Sequence, residues 1–382
     1  MNKKKLLFIV NVDWSFITFR LPIALKAISL GYEVHVICKI TDRAEYLEAL
    51  GLVVHPFEFS RSGKNIFREL ACCLKLYQLM KRLKPDLVHL VTIKPVLYGG
   101  IVARMIKVPS VVSAISGLGF VFSRSQEKNG HMLLSIVLIL YRLALGHSNQ
   151  TVIFQNPSDL TTIVEGVSLP TAKVKLICGS GVDLSNYPVT PEVSGKLVIA
   201  MASRLLRDKG VLEFIDAARI VKNAGSDVCF QLIGEPDFGN PESVTVDEVR
   251  NWKAEGIVEC LGFRTDIAEL FAQAHIVVLP SYREGLPKVL MEAAACGRAV
   301  ITTDVPGCRD AIEQGVTGDL VPARNAKALA AAVELLIKDS ALRQRMGRAG
   351  RDLAEREFSI DKVVNAHFDI YQELQGNKAV NE

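Results

Sequence analysis

The chain has 382 residues, of which 49% are hydrophobic and 23% charged, and this composition excludes a disordered or fibrous protein. Its length is large for one hydrophobic core and suits two domains. The eight cysteines form no CxxC pair and mostly lie in apolar segments, so we expect a reducing compartment without disulfides or a zinc site.

The net charge of +4 is unevenly distributed, because residues 1–185 carry +10 and the remainder −6. A basic first half suits an anionic partner such as a bilayer surface or a phosphorylated lipid, but a merely solvated basic face fits the count equally well. The sequence shows no basic helix interleaved with aromatic residues, so nucleic acid is not an expected partner.

The chain begins MNKKKLLFIVNVDW, where only five apolar residues follow the lysines and no small-residue cleavage site is present. This pattern favours a first β-strand over a signal peptide. No stretch approaches the ~18 uninterrupted apolar residues of a membrane span. The nearest, 132–146, contains Arg142; it is either a core helix or a surface that meets lipid.

Apolar segments alternate with helical patterns through the first half. The predicted strands lie at 5–10, 33–38, 52–57, 86–91, 109–114, 150–155 and 173–178. The predicted helices lie at 19–29, 42–50, 64–83, 94–106, 130–145 and 157–165. Strands separated by helices of this length predict a parallel sheet that is covered on both faces.

The second half repeats this alternation, with strands near 196–202, 228–233, 257–261, 275–280, 299–303 and 318–321. A proline-bearing segment (186–195) separates the halves, so we expect two doubly wound α/β domains, 1–187 and 188–357. The remaining segment, 358–382, predicts a helix long enough to brace the first domain.

The stretch REGLPKVLME (283–292) predicts a glycine-containing loop and a helix between two strands. Gly285 lets a ligand approach the main chain, Pro287 suits the first turn of the helix, and the helix N-terminus suits a phosphate. Glu292, about 7–8 Å along the axis, would then reach a ribose, and Glu284 a sugar beyond the phosphates. A capped core helix with both glutamates in solvent is the alternative that this segment leaves open.

The segment MASRLLRDKG (201–210) follows a predicted strand and leads into the next helix. Arg204 and Lys209 would lie at the carboxyl end of a parallel strand, where open α/β sheets bind ligands. Two cations opposite a helix N-terminus suit a diphosphate and stabilise it as it departs. A solvated basic loop is the commoner outcome for such a motif alone, but the two motifs together predict a nucleotide-sugar site.

These two motifs resemble the donor site of retaining glycosyltransferases of family 4, in which two glutamates with seven residues between them are the signature. The likeness extends over 262–282 and 305–321, and the order of elements matches more loosely along the whole chain. The resemblance implies the GT-B fold: two Rossmann-like domains facing across a cleft, with a C-terminal helix crossing back to the first domain.

In that family the cations hold the donor diphosphate, the first glutamate lies by the transferred sugar and the second takes the ribose hydroxyls. Backbone N–H groups of the Gly-Leu pair meet phosphate or sugar, and the base rests against the stretch after LGF. The resemblance therefore implies catalytic roles for Glu284, Arg204 and Lys209, and donor-binding roles for Glu292, Gly285, Leu286, Phe263 and Arg264.

The first domain resembles the members that extend undecaprenyl-diphosphate-linked sugars in surface polysaccharide or glycan assembly. This likeness is carried by FRLPIA (19–24), FEFSRSG (57–63), ISGLGF (115–120) and CGSGVDLSNYP (178–188).

Two departures from the family pattern affect the acceptor side. The first strand–helix loop, NVDWSFITFR (11–20), has no glycine pair, and SAISGLGF has no histidine or aspartate near the fifth strand. The remaining candidates on the acceptor or phosphate side are Asp13, Ser15, Arg20, Ser116 and Gly117.

No metal or cofactor is expected, because no DxD pair is placed to bridge phosphates and His275 has no spaced partner. Arg204, Lys209 and the helix dipole would supply positive charge instead. His89, inside an apolar strand, is predicted to be a buried structural residue.

The sequence thus predicts a cytoplasmic transferase, peripherally associated with the inner leaflet of the membrane. It would move a hexose or N-acetylhexosamine from a nucleotide sugar, UDP-linked by resemblance, to a lipid-diphosphate-linked saccharide with retention of configuration. A nucleotide-sugar epimerase of the same fold would bind a similar donor without an acceptor. A dehydrogenase is disfavoured because no GxGxxG follows the first strand, and a secreted sugar-binding protein because no signal peptide is recognised.

Overall fold

The computed structural model describes residues 3–59, 66–118 and 130–376. The chain forms two compact units. The first comprises residues 1–180 and 361–382, and the second comprises residues 181–360.

A parallel sheet forms the centre of the first unit. Its strands are β1 (Lys5–Val12), β2 (Glu33–Lys39), β3 (Val53–Pro56), β4 (Leu87–Val91), β5 (Ser110–Ile115), β6 (Gln150–Phe154) and β7 (Val174–Leu176). Their order in the sheet is β3-β2-β1-β4-β5-β6-β7, so the direction of winding reverses between β1 and β4. The central strands are nearly continuous runs of buried apolar residues because helices cover both faces.

Helices connect these strands. They are α1 (Asp13–Phe19), α2 (Leu21–Ser29), α3 (Ala44–Ala49), α4 (Ile66–Leu83), α5 (Gly100–Met105), which continues a π-helical turn (Pro95–Gly99), α6 (Gly130–Ala144) and α7 (Pro157–Val167). The start of α7 shows how the sequence sets a boundary: the Asn156 side chain accepts a hydrogen bond from the Asp159 N–H (2.8 Å), and Pro157 occupies the first helical position.

The terminal helix, α14 (Ile360–Gly376), packs in the first unit, as predicted. Tyr371 and His89 share a hydrogen bond of 2.5 Å, and the His367 ring stacks on that of His89 with 5.4 Å between centroids. Asn149 Nδ2 donates to the backbone carbonyl of Leu374 (2.8 Å). His89 is completely buried, which confirms its predicted place in the core.

A second parallel sheet forms the second unit. Its strands are β8 (Leu197–Ala202), β9 (Val228–Ile233), β10 (Glu259–Gly262), β11 (Ile276–Leu279), β12 (Ala299–Thr303) and β13 (Gly318–Val321). The order is β10-β9-β8-β11-β12-β13, with the reversal between β8 and β11. The prediction of two doubly wound α/β units is therefore confirmed.

The helices of this unit surround its sheet. They are α8 (Val211–Asn223), α9 (Val246–Glu255), α10 (Ile267–Gln273), α11 (Lys288–Ala295), α12 (Ala326–Lys338) and α13 (Ser340–Leu353), which ends in a π-helical turn (Ala354–Phe358). At the start of α9, Thr245 and Glu248 each accept a hydrogen bond from the other's backbone N–H.

The prediction of a loop across residues 11–20 was wrong, because residues 13–19 form α1. Phe16 is buried and packs edge-on against Phe8 of β1, with 5.4 Å between ring centroids. The carboxylate of Asp13 accepts from the Trp14 and Thr41 N–H groups (2.8 and 2.7 Å), which fixes the first turn of α1 to the loop after β2.

Helix α6 has both a core face and an exposed face, so the core-helix interpretation holds for part of it, and contact with lipid stays a prediction. Val137 and Tyr141 are buried, whereas Ile136, Ile139 and Leu143 are exposed. Among the described residues, no helix combines the length and the hydrophobicity that a membrane crossing requires. Residues 60–63 of FEFSRSG, 119–120 of ISGLGF and 377–382 lie outside the described residues.

Candidate donor site in the second unit

The candidate site lies at the switch point of the second sheet, where winding reverses between β8 and β11. Loop 203–210 leaves the carboxyl end of β8, and loop 280–287 leaves that of β11. Open α/β sheets bind ligands at this position because the two loops diverge there and leave a crevice. The two sequence motifs therefore occupy neighbouring loops at one sheet edge.

Lys209 and Glu284 come into direct contact. The Lys209 ammonium lies 2.5 Å from Glu284 Oε1, and the hydroxyl of Ser281 donates to the same oxygen (2.7 Å). The exposed fractions of the two charged side chains are 19% and 14%, so water screens this ion pair only in part. Two donors hold the Glu284 carboxylate in one orientation, and the ammonium retains further N–H donors for an anion.

Arg204 forms an ion pair with Asp237 (3.0 Å), and both side chains are substantially exposed. Burial raises the pKa of Asp208 in the same loop; the charge of Lys209 lowers it, that of Glu284 raises it and that of Arg204 lowers it. The charges of Arg204, Lys209 and Glu284 are thus close enough to Asp208 to influence its protonation.

Two glycines allow the site's loops to approach one another. Gly210 has φ +74°, and a Cβ there would overlap the carbonyl group of Pro280. Gly307 has φ +82°, and a Cβ there would overlap the backbone of Glu284 and Gly285. The Glu284 N–H also donates to the carbonyl of Pro306 (3.1 Å). The Glu284 backbone is therefore held by close packing and by hydrogen bonding.

Glu292 lies on α11 and is only 9% exposed, which excludes the alternative of a glutamate in solvent. Its Oε1 accepts from the hydroxyl of Tyr187 (2.8 Å) and lies 3.6 Å from the Lys288 ammonium. Burial raises the pKa of Glu292, opposed by Lys288 and Tyr187. Pro287 is the N-cap of α11 and not a first-turn residue as predicted, because its ψ of 121° is extended.

The other predicted donor-side residues are placed less closely. Leu286 is buried beside Gly285 in the loop before α11. Phe263 follows the carboxyl end of β10 and is 69% exposed, so its ring is free of the core and available for stacking. Arg264 pairs with Asp266 and has no described contact with Lys209, Glu284 or Glu292.

In the first unit, the structure buries two of the five acceptor-side candidates. The carboxylate of Asp13 is occupied by backbone N–H groups, and Arg20 is 2% exposed, with burial lowering its pKa to about 10. Arg20 Nη2 donates to the Ser116 hydroxyl (3.2 Å) at the end of β5. Gly117 follows with φ +118°, and Ser15 is half-buried on α1.

Sequence reasoning missed several polar residues near the two switch points. Ser281 lies two positions beyond the end of β11, at the sheet edge where open α/β sheets commonly bind ligands. Asn11 Nδ2 donates to the Thr92 hydroxyl (2.9 Å) where β1 and β4 end, and Thr92 has the strained φ of +72°. Tyr187 is 105 residues from Glu292, so no local pattern reveals their contact.

A metal site is absent from the part of the chain that the structure describes, in the sense that no three or more His, Cys, Asp or Glu side chains converge on one point. The eight cysteines all lie within the described residues, and none of them forms a disulfide.

Two doubly wound parallel-sheet units, with a lysine–glutamate pair at the switch point of the second, place the protein in the GT-B class of folds. Residues 186–353 match the model of the glycosyl transferases group 1, and residues 5–156 match the glycosyl transferase 4-like model. The chain therefore belongs to the glycosyltransferase family and is a transferase.

Two relatives match along nearly their whole length. One is the N,N'-diacetylbacillosaminyl-diphospho-undecaprenol alpha-1,3-N-acetylgalactosaminyltransferase of Campylobacter jejuni, 29% identical over 97% of this chain and 99% of the relative. The other is the UDP-Gal:alpha-D-GlcNAc-diphosphoundecaprenol alpha-1,3-galactosyltransferase of Escherichia coli, 24% identical over 91% and 90%.

Solved structures share the fold. Anabaena HepE, crystallised in complex with UDP, superposes with a TM-score of 0.78 at 21% identity over 97% of this chain and 100% of that one. WaaG, a glycosyltransferase involved in lipopolysaccharide biosynthesis, superposes with a TM-score of 0.75 at 14% identity over 96% and 99%.

Proposed function

We propose that the protein transfers a hexose or N-acetylhexosamine from a UDP-sugar to a lipid-diphosphate-linked saccharide, with retention of configuration. The observation that carries this proposal is the Lys209–Glu284 pair at the switch point of the second sheet. A diphosphate needs fixed positive charge at this position, and a sugar needs an oriented acceptor of hydrogen bonds. The undecaprenyl-diphosphate-linked acceptors named for the Campylobacter jejuni and Escherichia coli relatives support this acceptor class.

The two cations suit the diphosphate in different ways. Lys209 is oriented by Glu284 and has N–H groups to spare, whereas Arg204 is held only by a largely exposed pair with Asp237. Exposed ion pairs contribute about 0–1 kcal/mol, so a diphosphate oxygen competes easily with the Asp237 carboxylate. Arg204 thus exchanges the Asp237 carboxylate for the donor diphosphate, whereas Lys209 is already held in its binding position by Glu284.

The polar groups of the site indicate how one bond at the anomeric carbon is broken and another is formed. Glu284 is tied to Lys209 and Ser281, so we assign it to a hydroxyl of the transferred sugar and not to nucleophilic attack. The acceptor oxygen bonds to the anomeric carbon on the face from which the diphosphate oxygen departs, and the acceptor proton passes to that phosphate oxygen. Arg204, Lys209 and the N-terminus of α11 stabilise the charge on the leaving diphosphate, so we propose that no metal is required.

For the acceptor side, we propose the polar groups at the carboxyl edge of the first sheet. Asn11 lies near the end of β1, whereas Thr92 follows β4 and Ser116 and the backbone of Gly117 follow β5 at the same edge. Asp13 and Arg20 are buried, so we assign them to holding this edge in shape, and Ser15 remains a candidate contact.

Two helices of the first unit suit an anionic inner-leaflet membrane surface. Both pack beside α5, and each presents apolar residues at spacings of three and four. The exposed apolar residues are Phe67, Leu70 and Leu74 on α4 and Ile136, Ile139 and Leu143 on α6. Arg68, Lys75 and Arg142 lie on the same helices and would meet anionic headgroups.

The test is an assay of a panel of UDP- and GDP-sugars, in EDTA, with and without membrane lipid extract. We expect nucleotide release from one UDP-sugar to rise when lipid extract is added. Release that needs a divalent metal would overturn the metal-free route. A donor isomerised equally well without lipid would replace the transferase proposal with an epimerase, which no specific observation favours.

A further inference from the structure

Tyr187 and Glu292 form a buried hydrogen-bonded pair that the proposed chemistry does not yet use. The Tyr187 hydroxyl donates to Glu292 Oε1 at 2.8 Å. Burial raises the pKa of the tyrosine, and the charge of Glu292 raises it further, so the hydroxyl keeps its proton. Tyr187 is therefore a permanent donor to this carboxylate at ordinary pH.

The backbone of Tyr187 is anchored to the helix that carries Glu292. Arg351 Nη1 donates both to the Tyr187 carbonyl and to the Ala295 carbonyl, each at 2.8 Å. Ala295 is the last residue of α11, one turn beyond Glu292. The donor and the acceptor thus belong to one rigid local assembly, although 105 residues separate them in the chain.

Within the described residues, both contacts of the Glu292 carboxylate are made through one oxygen. Oε1 receives the Tyr187 hydroxyl and is the atom nearest the Lys288 ammonium, at 3.6 Å. A carboxylate has two oxygens with about four lone-pair sites, so Oε2 retains its capacity to accept. A fixed Oε1 also fixes the direction of Oε2, because the carboxylate is planar.

We infer that Tyr187 is a positioning residue for ribose recognition: it holds Oε1 of Glu292 so that Oε2 accepts a hydrogen bond from a ribose hydroxyl of the nucleotide. The inference rests on the proposed function, because it takes the ligand of the second unit to be a nucleotide. Without the tyrosine hydroxyl, the buried carboxylate turns toward Lys288 and the ribose loses its acceptor. A free carboxylate would also have to be reordered each time a nucleotide binds, at an entropic cost.

The test compares two nucleotides that differ only in the ribose, UDP and 2′,3′-dideoxy-UDP, by calorimetric titration of the full chain. We expect the wild type to bind UDP more tightly than the dideoxy compound. Tyr187→Phe should weaken UDP binding about tenfold and leave dideoxy-UDP binding unchanged, because the lost hydrogen bond acts only through the hydroxyls. Glu292→Gln should do the same, and the double variant should be no weaker than Glu292→Gln alone.

A matched control is Tyr282→Phe, which breaks another tyrosine–glutamate hydrogen bond of the same unit, from Tyr282 to Glu213 (2.7 Å). Any effect of this control should be equal for the two nucleotides. Equal weakening of both nucleotides by Tyr187→Phe would overturn the inference and leave a structural role. If the wild type binds neither UDP nor GDP, the proposed function itself fails, whereas binding without ribose discrimination rejects only the role of Glu292 and Tyr187.

Discussion

At the scale of single residues, Glu284 is the side chain on which the proposed chemistry depends most. Its carboxylate accepts from Lys209 and Ser281 through the same oxygen, Oε1, so its other oxygen is directed by them. A glutamine in this position keeps the shape but loses the charge. The ion pair with Lys209 is then lost, and the lysine is no longer held in place.

For Glu284→Gln we expect turnover to fall by about 10²–10³, the loss typical of a preorganised electrostatic contact. The measurement is the initial rate of nucleotide release at saturating donor and acceptor. Glu255→Gln, which removes a carboxylate from an exposed pair with Arg219, serves as the control and should leave the rate unchanged. An active Glu284→Gln enzyme would contradict the assigned role.

Gly307→Ala should displace the Glu284 loop, because the new Cβ would overlap the carbonyl oxygens of Glu284 and Gly285. Gly315→Ala is a matched control: its φ of +72° is similar to the +82° of Gly307, but its Cβ would meet nothing within 4 Å. Each substitution costs about 1–2 kcal/mol of stability through the backbone conformation. Only Gly307→Ala should also lower the rate, so equal rates for the two variants would show that close packing at Gly307 is unimportant.

At the scale of elements, α4 and α6 each present three large apolar side chains to solvent, more than any other helix among the described residues. Burying the exposed 60% of Ile139 in an apolar phase is favourable by about 1–2 kcal/mol, since full burial of such a side chain gives ~1.5–3 kcal/mol. Several such residues beside basic side chains would support the proposed reversible binding to an anionic interface.

Ile139→Glu should weaken binding to vesicles of anionic phospholipid at least about tenfold, because it removes an apolar contact and adds charge repulsion. Co-sedimentation with vesicles measures the effect. Leu335→Glu, on α12 of the second unit and 52% exposed, is the comparison variant and should bind as the wild type does. The same loss in both variants would exclude a specific role for α6.

The elements that the sequence predicted best are those with a continuous apolar run and a clear boundary residue such as glycine. The strand prediction at 299–303 coincides with β12, because Gly297 ends the preceding helix and the run is buried on both faces. Helix α1 was missed, since it is short and its stability comes from tertiary contacts of Phe16 and Asp13 that lie outside any local window.

The candidate site likewise contains some residues that the sequence reveals and others that it does not. Arg204, Lys209 and Glu284 are recognisable because they lie in loops that follow predicted strands at one edge of a parallel sheet, and Glu292 because it lies in the helix that follows the second loop. Tyr187 and Thr92 are not recognisable: the first acts across 105 residues, and the second is marked by a backbone angle that composition does not encode.

At the scale of the whole molecule, buried histidines make the free energy of unfolding depend on pH. Burial and the charge of Arg20 together lower the pKa of His367 to about 3, and burial holds the pKa of His89 well below its ordinary value. Both rings are neutral when folded, whereas in the unfolded chain they take up protons below about pH 6.5. Their contribution to stability is thus complete above pH 6.5 and is lost progressively as the pH falls toward the folded-state values.

His367→Phe should remove part of this dependence. For His367 alone, the lost contribution between pH 7 and pH 5 is about 2 kcal/mol, so the variant's free energy of unfolding should fall less steeply over that interval. The chain has two tryptophans, Trp14 and Trp252, so in a Trp252→Phe background the fluorescence of Trp14 reports urea unfolding of the first unit. An unchanged pH slope would show that His367 is not the group responsible.

The terminal helix has a consequence for the way the protein is made. A ribosome delivers residues 181–360, the whole second unit, before residues 361–376 of α14 emerge. Until then β4 and β5 lack the helix that contacts His89 and Ser110, so the first unit is synthesised first but is completed last. Part of the apolar sheet in the first unit therefore stays uncovered until α14 has been synthesised. A premature stop codon before residue 361 would thus destabilise the first unit, although the codons for its sheet lie at the opposite end of the mRNA.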